Sequence, residues 1–236
     1  MNHTHRTNPE TNAGIAGTSI LSSLRSFVPQ RQASSTEALR IAELQAQRLL
    51  HRCGIDDGPV SDDLLLELPR IAIEYVHDMP TSGCSFWNTE RANWIIQVNA
   101  SEPATRQRFT LFHEYKHIVD HGQTDRLYGM EPEAAKRAEQ AADFFAGCVL
   151  MPRPLVKRAW CRGIQTARGL ATAFDVSPVA AGVRLAQIGL TDQPARCTVA
   201  VDTAPTHRTA QGRPPRRFGS YHRQLSMYRF ALQEAS

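Results

Sequence analysis

The stretch from Arg106 to Gly122, RQRFTLFHEYKHIVDHG, constrains this chain more than any other. It carries His113, Glu114 and His117 in the order H-E-x-x-H. No Pro or Gly interrupts Thr105 to His121, Pro103 suits a first helical turn, and Gly122 is a natural stop. Phe109, Leu111, Phe112 and Ile118 lie at spacings that make an apolar stripe. The segment therefore reads as an amphipathic helix. Residues four apart on a helix share one face, about 6 Å apart along the axis. His113 and His117 thus point two imidazoles at one ion. Glu114 leans toward the open side, where a water would sit. A catalytic zinc takes three protein ligands and keeps a position for water, so the spacing meets a chemical need.

The third ligand has to come from a neighbouring helix. A second long helix is expected over about Glu133 to Leu150, ending before Met151-Pro152. Glu139 lies 22 residues after His117, far enough for a loop and a helix to return. Asp143 follows one turn later on the same face. One carboxylate would hold the metal and the other would accept a ligand-histidine N–H, fixing its tautomer. Glu131 and Glu133 are lesser candidates, because they lie at or before the helix start. His121 completes H-x-x-x-H-x-x-x-H. It is about 12 Å along the helix from His113, too far to share the ion easily, so a structural or outer-shell role is favoured over a fourth ligand. Tyr115, Tyr128 and His77 are open alternatives for polarising a substrate carbonyl.

These residues carry a resemblance. R-Q-R-F-T-L-F-H-E-Y-K-H-I-V-D-H, followed by E-Q-A-A-D-F-F-A-G-C-V-L-M-P, resembles the ImmA/IrrE family of zinc metallopeptidases. Ser82-Gly83 and Ile96 to Asn99 are similar to that family's S-G turn and I-x-V-N strand. The likeness extends over about residues 36–190. It implies one zinc ion per chain held by His113, His117 and Glu139, with Glu114 as catalytic base and Asp143 behind the ligands. It also implies a protein substrate, typically a helix-turn-helix repressor of a mobile element or stress response. Lys116 stands at a usual Gly and Phe112 at a usual Ala.

The rest of the chain frames that helix. Ser35 or Thr36 opens a helix whose apolar residues run from Leu39 to Leu50, and a short helix holds Leu64 to Leu68. Ile71 to Val76, Cys84 to Trp87 and Trp94 to Val98 read as strands. An extended substrate is expected to add beside the Trp94 to Val98 strand, bringing Ile96, Val98 and Asn99 near it. A loop is expected from Gly122 to Pro132. Short helices follow over Leu155 to Trp160, Thr166 to Phe174 and Pro178 to Ile188. The fold expected is α+β, mostly helical, with a small β-sheet packed on the zinc helix. The domains expected are a disordered tail over 1–35, a peptidase domain over 36–192 with a small-helix subregion at 153–190, and a basic, mostly disordered tail over 193–236.

Composition excludes several classes. No run of about 18 apolar residues is present, so no transmembrane helix is expected, and Ile15 to Leu24 is too polar for a signal-peptide core. Five scattered cysteines without a C-x-x-C pair argue against a disulfide framework or a Cys-rich zinc site, and a cytoplasmic protein is expected. Net charge is +4, but residues 1–35 and 206–236 together hold nine Arg and two acids, which leaves the middle slightly acidic. Thr166 to Ile188 resembles a helix-turn-helix in outline, yet its basic residues are only Arg168 and Arg184. It reads as a packing module, and direct nucleic-acid binding is not expected. The competing functional reading is a zinc-bound regulator that holds a repressor or DNA without cleavage.

Overall fold

The computed structural model describes residues 19–190. The sequence expectations at His3 and His5, the strand at Thr198 to Val201, the helical turn at Tyr228 to Leu232 and the basic C-terminal stretch lie outside the described residues.

Three helices form the frame. α2 (Ser35–Arg52) starts one residue earlier than the Ser35 or Thr36 cap implied, because Ser34 and Glu37 close a capping box. Its stripe of Ala38, Ile41, Ala42, Ala46 and Leu49 is buried. α4 (Ala104–Asp120) is the H-E-x-x-H helix, and α6 (Ala134–Leu150) packs against both α2 and α4. Alanines at 141, 142 and 146 let α6 approach closely, and Phe145 and Val149 fill the core between them.

The sheet has three strands: β1 (Ile71–Val76), β2 (Gly83–Asn88) and β3 (Asn93–Asn99), in the order β1-β3-β2. β3 pairs parallel with β1 and antiparallel with β2. Ile96 and Val98 on β3 are fully buried against α4. This overturns the expectation that a substrate adds beside β3. Both edges of that strand are already hydrogen-bonded, Ile96 and Val98 are core, and the Asn99 amide donates to the carbonyls of Met79 and Thr81. β2 is the edge strand next to α4.

The Asn99 N–H donates to the Ser82 carbonyl at 2.8 Å, which marks Ser82–Asn99 as a hydrogen-bonded pair. Antiparallel pairs alternate, so Gly83, Ser85 and Trp87 are non-hydrogen-bonded toward β3. Their main-chain groups face the open edge of β2, and among the described residues no strand covers it. The Gly83 carbonyl is taken by the Thr81 hydroxyl. Gly83 is required here for closeness: a Cβ would come within 2.5 Å of the Thr110 methyl and 2.8 Å of the Gln97 carbonyl.

Two segments depart from expectation. Residues 19–35, expected within a disordered tail, contain α1 (Ile20–Arg25) and pack Leu24, Val28 and Ala33 into the interior. The Arg25 guanidinium donates to the carbonyls of Ile118 (2.8 Å) and Val119 (3.0 Å). These are last-turn acceptors of α4, where the Ile118 carbonyl otherwise has only the long bond from the His121 N–H, and a cation there also suits the helix dipole. The second departure is α5 (Thr124–Tyr128), a short helix where a loop was expected. It is held by burial of Leu127 and Tyr128.

The chain closes with α3 (Asp63–Leu66) before β1, and α7 (Arg153–Cys161), α8 (Ala167–Phe174) and α9 (Pro178–Ile188) after α6. Buried Arg108 joins these pieces to the start of α4. It bonds Asp62 at 2.7 Å, the Asp175 carboxylate at 2.8 Å, and the carbonyls of Val60, Phe174 and Asp175. Arg184, one of the two basic residues of the helix-turn-helix-like region, is also buried and donates to the Met151 carbonyl. Among the described residues no helix is long and apolar enough to cross a membrane.

Candidate metal centre

α4 delivers His113 and His117 from successive turns, and α6 delivers Glu139 from the facing helix. The two Nε2 atoms are 3.1 Å apart. Glu139 Oε2 lies 3.3 Å from His113 Nε2, and Oε1 lies 3.4 Å from His117 Nε2. Asp143, one turn on, sits 2.9 Å from His113 Nδ1. With Nδ1–H donating to Asp143, the Nε2 lone pair of His113 faces the other imidazole and the Glu139 carboxylate. Two imidazole lone pairs and a carboxylate converging this closely need a positive charge between them. A cation with nitrogen and oxygen preferences fits that donor set, and zinc is the ordinary one.

The electrostatics agree. Burial opposes charge on His113, but its hydrogen bonds to the Asp143 and Glu139 carboxylates outweigh it and push its pKa up to about 9. Burial, and then the neighbouring His113 charge, holds His117 below its usual value. The His113 hydrogen bond holds Glu139 low despite its partial burial. A metal ion must therefore displace a proton from His113 but not, near neutrality, from His117. Metal affinity is expected to weaken by about tenfold per pH unit as pH falls from 9 toward 6, with about one proton released per ion. Calorimetric titration in buffers of different ionisation enthalpy measures both. Asp143→Ala removes the carboxylate that orients His113, and is expected to weaken metal binding about 10–100-fold in the same titration.

Glu114 stands outside the ligand cluster. Its Oε2 accepts a hydrogen bond from the Ser85 hydroxyl on β2 at 3.0 Å. Sequence reasoning missed Ser85. Only the strand register, which turns residues 83, 85 and 87 to the helix side, exposes it.

The other candidates separate from the site. His121 caps α4, and its ring meets Trp94 edge-on at 4.9 Å. It does not join the ligand group. Tyr115 is buried against Phe145, and Tyr128 is buried with its hydroxyl on Asp120. Neither is placed to polarise a substrate carbonyl. His77 is exposed past the end of β1, Glu131 pairs with Arg137, and Glu133 precedes α6. Among the described residues the cysteines are free and none enters the metal group. Burial pushes the thiols of Cys53 and Cys84 up, and that of Cys148 up to about 11, the reverse of an activated nucleophile.

A His-Glu-x-x-His helix with a carboxylate supplied by the next long helix defines a metallopeptidase-like class. The sequence matches the IrrE N-terminal-like domain of the Peptidase M78 family over residues 69–186, and the chain belongs to that family. Among solved structures it is similar to a Mycobacterium tuberculosis transcriptional regulator, at 18% identity and a TM-score of 0.53. The alignment covers 74% of this chain and 52% of the regulator, so the likeness is one of fold over about half of that protein. No curated protein gives a significant match.

Proposed function

We infer that the chain is a zinc-dependent endopeptidase that hydrolyses a peptide bond in a protein substrate. The observation that carries this reading is the convergence of His113, His117 and Glu139, with the Glu114 carboxylate held beside them by Ser85. When bound, a zinc ion supplies Lewis acidity toward a water and toward the scissile carbonyl. Glu114 accepts the water proton and returns it to the leaving amine. Ser85 holds that carboxylate in position. Asp143 keeps Nδ1 of His113 protonated, so that Nε2 is the ligand atom. The outward main-chain groups of Ser85 and Trp87 bind an extended substrate along β2. This assigns to the edge strand the role first expected of β3.

The substrate class we propose is a helix-turn-helix transcriptional repressor. Support comes from the resemblance to the ImmA/IrrE family and from the fold likeness to a transcriptional regulator. The test is incubation of the zinc-loaded protein with the repressor encoded beside its gene, with and without a chelator. Discrete fragments that disappear on chelation support the reading. Intact repressor in a stable zinc-dependent complex favours a regulator that binds without cutting.

A further inference from the structure

The peptidase reading leaves an aromatic cluster at one end of β2 without a role. Trp87 follows Ser85 by two residues on the same face of β2, about 6.6 Å along the strand. Its ring meets that of Trp94 edge-on at 5.6 Å, and Trp94 in turn meets His121 at 4.9 Å. His121 lies one turn beyond His117 on α4. Trp94 is partly buried and packed on the core, which fixes the row. Trp87 remains 40% exposed. A large indole packed against a second indole, yet open to solvent two residues along β2 from Ser85, is a contact surface for an apolar group.

We propose that Trp87, backed by Trp94 and His121, is a specificity subsite for an aromatic or large aliphatic side chain two residues from the cleaved bond. The register dictates that distance. A peptide strand paired with β2 has one residue level with Ser85, and therefore with the Glu114 carboxylate. Side chains alternate, so the next residue on the same face lies two positions along, opposite Trp87. The Trp87 main-chain N–H and C=O point to the open edge and bond that residue directly. Its side chain then lies across the indole face. A carboxylate there would meet the negative face of the indole quadrupole, whereas an apolar side chain would bury surface against it.

This proposal rests on the peptidase reading, and one experiment separates the two. The zinc-loaded full chain is incubated with a proteome-derived peptide library, and the cut positions are read by mass spectrometry. The expected result is a preference of about tenfold or more for Phe, Tyr, Trp, Leu, Ile or Met over Gly, Ser or Asp two residues from the cut, on one side of it. Trp87→Ala should collapse that ratio toward one, and Trp87→Phe should keep most of it. A ratio between peptides is insensitive to the fraction of folded enzyme, so partial misfolding of a variant does not mimic the effect. Cleavage without this preference, or a preference that survives Trp87→Ala, overturns the subsite alone. A zinc-loaded protein that cuts neither the library nor the neighbouring repressor overturns the peptidase reading and the subsite with it.

Discussion

Glu114→Gln is expected to bind one zinc ion per chain with wild-type affinity and to lower peptide cleavage by about a thousandfold. The carboxylate is outside the ligand cluster, so the ion loses no partner. The amide keeps the side-chain length, and its oxygen can still accept the Ser85 hydroxyl. What it cannot do is take a proton from water. A positioned general base contributes about 10²–10⁴ in rate, and the whole of that contribution is removed. The measurement pairs zinc content with kcat on the same preparation. Activity within tenfold of wild type, with zinc retained, would remove Glu114 from the role of base.

The largest stability effect is expected behind the metal face, at Lys116. This side chain is fully buried, where the resembling family usually has Gly. It pairs with Asp120 one turn on, and the Tyr128 hydroxyl donates to the other carboxylate oxygen of Asp120. Lys116 also lies 3.4 Å from the Tyr128 hydroxyl. Burial lowers the lysine pKa and the Asp120 charge opposes that fall, as expected of an ion pair out of water. Lys116→Met keeps the volume but strands a buried carboxylate, which typically costs about 3–5 kcal/mol. The triple variant Lys116→Met, Asp120→Leu, Tyr128→Phe removes every partner together. It is expected to recover most of the loss, because apolar groups of similar volume replace a buried ion pair at little cost. Urea unfolding of the wild type and the two variants, each with zinc bound, gives the numbers. A loss below about 1 kcal/mol for Lys116→Met would mean that Asp120 finds water or another partner.

The network also explains how a long cation is tolerated on this helix. Position 116 does not face the ion. It faces α5, where Asp120 neutralises it and the Tyr128 hydroxyl hydrogen-bonds the same carboxylate. The sequence showed a departure from the family pattern but not its compensation. Tyr128 lies twelve residues away, on a helix too short to show periodicity.

What could be read in advance follows from range. His113 and His117 are set by one helical turn, and the 3.6-residue period alone brings them together. Glu139 and Asp143 need only one further assumption, that the next long helix returns antiparallel, and α6 does so. The expected helix from Pro103 to Gly122 closes at Asp120, with His121 as its cap and Gly122 at φ +77°. Strand identity was local and legible. Strand order was not, because the parallel pairing of β1 with β3 joins segments separated by all of β2. That non-local step makes β3 central, buries Ile96 and Val98, and turns β2 into the open edge with Ser85 and Trp87. α1 was hidden for a different reason. Its apolar residues are diluted among serines and arginines, and its docking depends on Arg25 finding carbonyls more than ninety residues away.

The most direct test of the account is the X-ray absorption spectrum of zinc in the full-length protein loaded with one equivalent of the metal. The account predicts a shell of nitrogen and oxygen with the scattering signature of two imidazoles, no sulfur, and loss of the ion from a Glu139→Ala variant after dialysis. A sulfur ligand, a single imidazole, or zinc held equally well without Glu139 would contradict it.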